Sequence, residues 1–152
     1  MPSDMHEQLC KKGVTWLKKN GFGVAAMNVW AFGSRERVDC IGFRQQCSAL
    51  IEVKVSWSDF MADKKKPERH TGGVGTYRFY LAPSGLLDVA DLPPGWGLLE
   101  FTGKVIQMVH GPTGNLWPSF ENSAGSGWES FAHDSSCVAE RSMLYTIARK
   151  TI

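Results

Sequence analysis

Three residues stand at spacings that permit metal-assisted chemistry. Asp39 precedes Glu52 by twelve intervening residues, and Lys54 follows two positions later in the stretch "ALIEVKV". That stretch is otherwise apolar, and a charge buried in an apolar strand is costly unless it is paired, hydrogen-bonded or on a metal. Strand side chains alternate faces, so Leu50, Glu52 and Lys54 share one face while Ile51, Val53 and Val55 share the other. The apolar face is expected to be the core face and the Glu/Lys face to point into a cleft. In the preceding stretch "RVDCIGF", Asp39 shares a face with Ile41 and Phe43, and pairing of the two strands sets Asp39 across from Glu52. Two carboxylates a few ångströms apart raise each other's pKa unless a cation lies between them. Oxygen ligands of this kind suit Mg²⁺ or Mn²⁺. A neighbouring lysine orients or deprotonates a water, or stabilises charge on a phosphate. A metal-activated water attacking a phosphodiester uses all three residues. The alternative is a solvated strand face carrying an i, i+2 ion pair, because E-x-K is a common short pattern.

The elements that position these residues are legible from pattern. Asp4 can cap a first helix, with Glu7 three residues later in capping-box position and a stop at Gly21. Glu7 lies three, seven and ten residues before Cys10, Val14 and Leu17, so it borders the buried face, either as a cap alone or as part of a site. "VAAMNVW", "RVDCIGF" and "ALIEVKV" read as three strands joined by tight turns, an antiparallel meander. Ser58 is expected to cap a short helix, "SDFMADKKK", with Trp57 stapling its start and Pro67 beyond its end. "RHTGGVG" reads as a mobile loop, "TYRFYLAP" as a strand, and "LLEF" with "KVIQMV" as a closing hairpin. Residues 111–135, rich in Gly, Ser and Asn, read as a loop or linker, and residues 136–152 as a C-terminal helix docked on the same domain. The order gives one α/β or α+β domain spanning residues 1–110 and completed by the tail helix.

The D…(D/E)-x-K spacing of Asp39, Glu52 and Lys54 resembles the core of the PD-(D/E)XK nuclease superfamily, with Val38 where that pattern often has proline. The order αβββαβ also resembles that fold. The resemblance implies a restriction-endonuclease-like core, a central mixed sheet flanked by helices. It implies metal held by Asp39, Glu52 and the Val53 carbonyl, a water oriented by Lys54, and an assisting glutamate, Glu7, from the first helix. A longer stretch, "EVKVSWSDFMADKKKPE", is similar to the MmcB-like DNA-repair branch at Glu52, Lys54, Ser56, Asp59, Phe60, Asp63, Lys65 and Pro67. "YRFYLAP" and "LPPGWGLLEF" resemble that branch's next strand, turn and strand, so the likeness covers about residues 4–110. It departs at "TGGVG" and after Gly111. It implies Mg²⁺- or Mn²⁺-dependent cleavage of DNA, recognised by structure or backbone, with a homodimer as one arrangement. The alternative is a catalytically silent nuclease-fold protein that occupies DNA or a host protein, such as a phage accessory or anti-defence factor using the region after Gly111.

Charge distribution agrees with a polyanionic partner. Net charge is +2, yet residues 1–70 carry 12 Lys/Arg against 8 Asp/Glu, and residues 71–152 carry 5 against 7. Lys64, Lys65, Lys66, Arg69 and His70 are the candidate nucleic-acid contacts, following directly on the Glu52–Lys54 strand. The four cysteines, Cys10, Cys40, Cys47 and Cys137, lack C-x-x-C spacing, so free thiols rather than a zinc site are expected. His6, His110 and His133 show no metal-ligand spacing. No apolar run approaches the ~20 residues that span a bilayer. With no apolar leader at the N-terminus, a cytoplasmic protein of a bacterial or phage-infected cell is expected.

Overall fold

The computed structural model describes residues 4–31, 37–69 and 72–150. Helix α1 (Asp4–Lys19) lays Leu9, Cys10, Gly13 and Leu17 on the sheet. Its end follows from Gly21, whose φ of 87° admits a left-handed turn. The amide of Phe22 then reaches the Leu17 carbonyl and that of Gly21 the Lys18 carbonyl, both at 3.1 Å, the paired bonds of a Schellman stop. Gly13 is needed for a different reason: a Cβ there would come within 2.9 Å of Cys40 Sγ, so the helix can approach β2 closely only without a side chain.

Among the described residues, six strands form one mixed sheet in the order β1-β2-β3-β4-β5-β6. They are β1 (Val24–Trp30), β2 (Arg37–Phe43), β3 (Ser48–Val53), β4 (Tyr77–Pro83), β5 (Trp96–Phe101) and β6 (Ile106–His110). β1, β2 and β3 form an antiparallel meander, β3, β4 and β5 run parallel, and β6 closes antiparallel on β5. Helix α2 (Trp57–Lys64) provides the crossover from β3 to β4. Its cap is Ser56 rather than Ser58: Ser56 Oγ accepts from the Asp59 amide at 3.3 Å. Trp57 lies in the first turn, exposed and packed on Phe60 with ring centroids 5.5 Å apart. Helix α3 (Cys137–Arg149), capped by Ser136, buries Met143.

Two cores lie on opposite faces of the sheet. Leu9, Leu17, Cys40, Ile51, Val53 and Phe79 pack under α1. Val38, Ile41, Leu50, Phe60, Tyr80 and Trp96 pack on the other face with Met143 of α3. Every residue of β3 is buried, so the expectation of one wet strand face is corrected: Leu50 and Glu52 face a second core, not a cleft. This follows from the crossover, because α2 must cover one face of a parallel β3–β4 pair.

Residues 111–135 contain neither helix nor strand, but they are no spacer. Trp117 and Trp128 are buried in the α1-side core, with centroids 4.9 Å apart. The Tyr77 hydroxyl donates to the Pro118 carbonyl at 2.6 Å, and Cys47 Sγ donates to that of Trp117 at 3.4 Å. A unit ending at residue 110 would leave that core open, so the expected boundary there is corrected.

Candidate functional site

Asp39 lies where the β2–β3 ladder stops. The last paired residues are Cys40 and Ile51, and the same register continued would set Asp39 opposite Glu52. Instead of a backbone partner, the amide of Val53 donates to Asp39 Oδ2 at 2.8 Å. The other oxygen, Oδ1, lies 3.4 Å from His6 Nε2 of α1. Glu52 sits beside Asp39 and is 3% exposed. Burial, the Asp39 charge and a hydrogen bond with the Asp39 side chain hold its pKa well above the usual carboxylate value, while Arg69 pulls the other way. The two carboxyl groups do converge, as strand parity implied.

Glu52 also belongs to a second cluster. Arg69, 1% exposed at the end of a 3₁₀ turn (Pro67–Arg69), donates from Nη2 to Glu52 Oε1 at 3.0 Å. The same guanidinium forks onto Asp63 of α2, with Nε to Oδ2 at 2.8 Å and Nη2 to Oδ1 at 2.9 Å. The Tyr80 hydroxyl donates to Asp63 Oδ2 at 2.6 Å, and Lys54 Nζ lies 3.3 Å from Oδ1. Burial alone would raise the Asp63 pKa, but the Arg69 hydrogen bonds and the Arg69 and Lys54 charges hold it well below the carboxylate range. Tyr80 is pushed up by burial and by the Asp63 charge, so it remains a donor. Trp96 packs against the cluster: it stacks on Tyr80 with centroids 4.5 Å apart, its ring lies 5.4 Å from the Arg69 guanidinium, and it donates to the Arg69 carbonyl at 3.2 Å.

Several expected site residues are therefore reassigned. Arg69 is no surface contact for nucleic acid, because its charge is consumed within the protein. Val53 meets Asp39 through its N–H. Glu7 is exposed and lines a shallow groove with Met5, Gln8 and Lys11, whereas His6, roughly 100° round the helix, faces Asp39. Lys54 is 14% exposed and turned toward Asp63. Lys65 and Lys66 remain at the surface, Lys66 3.4 Å from Asp63 Oδ1, and half-buried Lys64 lies 5.9 Å from the Phe60 ring. His70 falls outside the described residues. Sequence reasoning missed a groove of about 360 Å³ where Lys12, Lys19 and Lys104 rim a floor that includes Trp16, Phe101 and Ile106.

The donor set fits a hard divalent cation at one point. Asp39, 17% exposed, and Glu52 present adjacent carboxyl groups whose mutual repulsion a cation would relieve. No family model and no curated protein matches the chain. The fold has a counterpart among solved structures. The chain is similar to the SPO1766 protein of unknown function from Silicibacter pomeroyi, with a TM-score of 0.60 and 20% identity over 94% of this chain and 86% of that one. At that identity the likeness speaks for the fold alone. No helix among the described residues is long and apolar enough to cross a membrane.

Proposed function

We propose that this protein is a metal-dependent deoxyribonuclease with a restriction-endonuclease-like core, hydrolysing DNA phosphodiester bonds. The observation that carries the reading is the convergence of Asp39 and Glu52 at the end of the β2–β3 ladder, with Lys54 one residue past β3. The element order α1-β1-β2-β3-α2-β4 supports the fold assignment, since it repeats the order implied by the sequence resemblance. Asp39 and Glu52 would hold Mg²⁺ or Mn²⁺, which when bound supplies charge neutralisation and a more acidic water. Val53 fixes Asp39 by its amide, and Arg69 keeps Glu52 from wandering. Lys54, now 3.3 Å from Asp63 Oδ1, would leave that contact to orient the attacking water. Lys64, Lys65 and Lys66 with the Lys12–Lys19–Lys104 groove offer phosphate contacts on the surface.

The test is cleavage of single-stranded, duplex and branched DNA with Mg²⁺, Mn²⁺ or chelator. Metal-dependent cleavage is expected from the wild type, and Lys54→Ala should lose at least ~100-fold in rate while DNA affinity and fold persist. Wild-type cleavage by Lys54→Ala would remove Lys54 from the water-orienting role, and no cleavage by the wild type with either metal would remove the nuclease reading. A second reading has its own support in the buried Arg69–Glu52 pair: a nuclease-fold protein that binds DNA without cutting it. DNA binding without cleavage under every metal would select it.

A further inference from the structure

We propose that His6, Cys10 and Asp39 form a site for a thiophilic divalent metal of the Zn²⁺ type, entered from solvent between α1 and β2. His6 and Cys10 are four residues apart on α1 and so lie on one helical face. That face packs against β2 where its ladder ends at Asp39. One ring nitrogen of His6, Cys10 Sγ and one Asp39 oxygen lie within 4.8 Å of one another. Cys10 Sγ is 3.7 Å from Nδ1, and Asp39 Oδ1 is 3.4 Å from Nε2. A tetrahedral zinc centre separates its ligand atoms by roughly 3.3–3.6 Å, given its bond lengths. Closing the triad therefore asks the His6 ring to turn one nitrogen toward both partners, a side-chain movement rather than a backbone one.

The donor chemistry decides the metal class. Thiolate and imidazole favour Zn²⁺ and Co²⁺, whereas Mg²⁺ takes oxygen ligands. The ligands are also held from behind. The Val53 amide fixes Asp39 Oδ2 at 2.8 Å, and Cys40 donates its thiol hydrogen to the Cys10 carbonyl at 3.2 Å. Cys10 is buried, while the His6 and Asp39 side chains are 22% and 17% exposed, so a fourth position opens toward water. Three protein ligands with an open fourth position make a reactive rather than a closed structural centre. This site stands apart from the phosphodiesterase reading and shares only Asp39 with it.

The probe is Co²⁺, titrated into the full-length reduced protein. A near-ultraviolet thiolate-to-Co²⁺ charge-transfer band, saturating at one equivalent, is expected. Zn²⁺ should displace it stoichiometrically and a large excess of Mg²⁺ should not. Cys10→Ser should abolish the band, and Cys137→Ser, which removes the exposed thiol, should leave it intact. Because Cys10 lies in the core and its variant could unfold, His6→Asn supplies the second arm: it should weaken Co²⁺ binding at least ~10-fold, the minimum seen when even an outer partner is lost. No band in the wild type, a band retained in Cys10→Ser, or unchanged affinity in His6→Asn would each overturn the proposal. Glu52→Gln should leave the band untouched, which separates failure of this site from failure of the nuclease reading.

Discussion

The two halves of the candidate site differ in how they hold charge. On one side, Glu52, Asp63, Arg69 and Tyr80 form a buried network with short hydrogen bonds and little exposure. On the other, Asp39 is half-buried, bound by the Val53 amide and the Glu52 carboxyl group and facing a histidine at 3.4 Å. Buried charges must be compensated in place, so the first half is constrained before any ligand arrives. Asp39 is 17% exposed and so can change partners. The difference suggests a division of labour in which the Arg69 network fixes Glu52 and Asp39 does the exchanging.

The largest effect should come from breaking the buried half. Arg69→Met removes the guanidinium that serves both Asp63 and Glu52, leaving buried carboxylates under-compensated. A loss of about 3–5 kcal/mol is expected for removing one partner of a buried ion pair. Urea unfolding of wild type and variant at pH 7 measures it. A loss under ~1 kcal/mol would mean that the network relaxes around the change, and the contrast with Asp39 would disappear.

A second effect lies in pH. His133 lies against Trp96, with ring centroids 6.5 Å apart, and Nε2 is 2.9 Å from the Gly95 carbonyl. Burial first, then the Arg78 charge, lowers its pKa to about 4. The unfolded chain binds this proton more readily than the folded one. The stability it contributes is therefore full above about pH 6.5 and is lost as pH falls toward 4. Over that window the wild type should lose on the order of 2 kcal/mol relative to His133→Gln. Parallel stability curves for the two proteins from pH 7 to pH 4 would show that His133 is not held neutral. Asp63 acts lower still: its folded pKa is depressed, so its contribution is present above the ordinary carboxylate range and disappears only as pH falls below about 4.

Tyr80→Phe probes the same half more gently. It deletes one of the hydrogen bonds to Asp63 while Arg69 and Lys54 remain. About 1–2 kcal/mol should be lost in urea unfolding, within the range for a hydrogen bond to a charged group. A neutral substitution would assign the 2.6 Å contact no net weight.

What sequence showed and what it hid follow a physical division. Alternation placed Asp39 and Glu52 together, because parity and antiparallel pairing are local rules. Arg69 was misread as a surface contact because its neighbours in "KKKPERH" look solvated, and only the α2 crossover brings it over Glu52. Leu50 on the same face as Glu52 was the signal that this face is covered. Trp117 and Trp128 within a Gly/Ser-rich stretch were the corresponding signal that residues 111–135 complete a core. His6 was set aside for lack of a metal pattern, although its i, i+4 relation to Cys10 puts both on one helical face.

The smallest effect should come from Asp39→Asn, and its sign distinguishes the two halves most sharply. An asparagine can still accept the Val53 amide through its side-chain oxygen, so the local backbone keeps its partner. Losing the half-exposed His6 contact should cost no more than about 0.5 kcal/mol. Against that stands relief of Glu52. Burial comes first and the Asp39 charge second in raising the Glu52 pKa, so the folded wild type retains a proton that the unfolded chain has released. Stability from that proton is present below the ordinary glutamate value and declines as pH rises toward the raised one. The variant removes the charge-driven part of that decline. Asp39→Asn should therefore match the wild type near pH 4.5 and equal or exceed it at pH 8, as read from urea midpoints at both values. A loss of several kcal/mol at both pH values would place Asp39 in the same structural class as Asp63, and the proposed exchange of ligands at this carboxylate would have no basis.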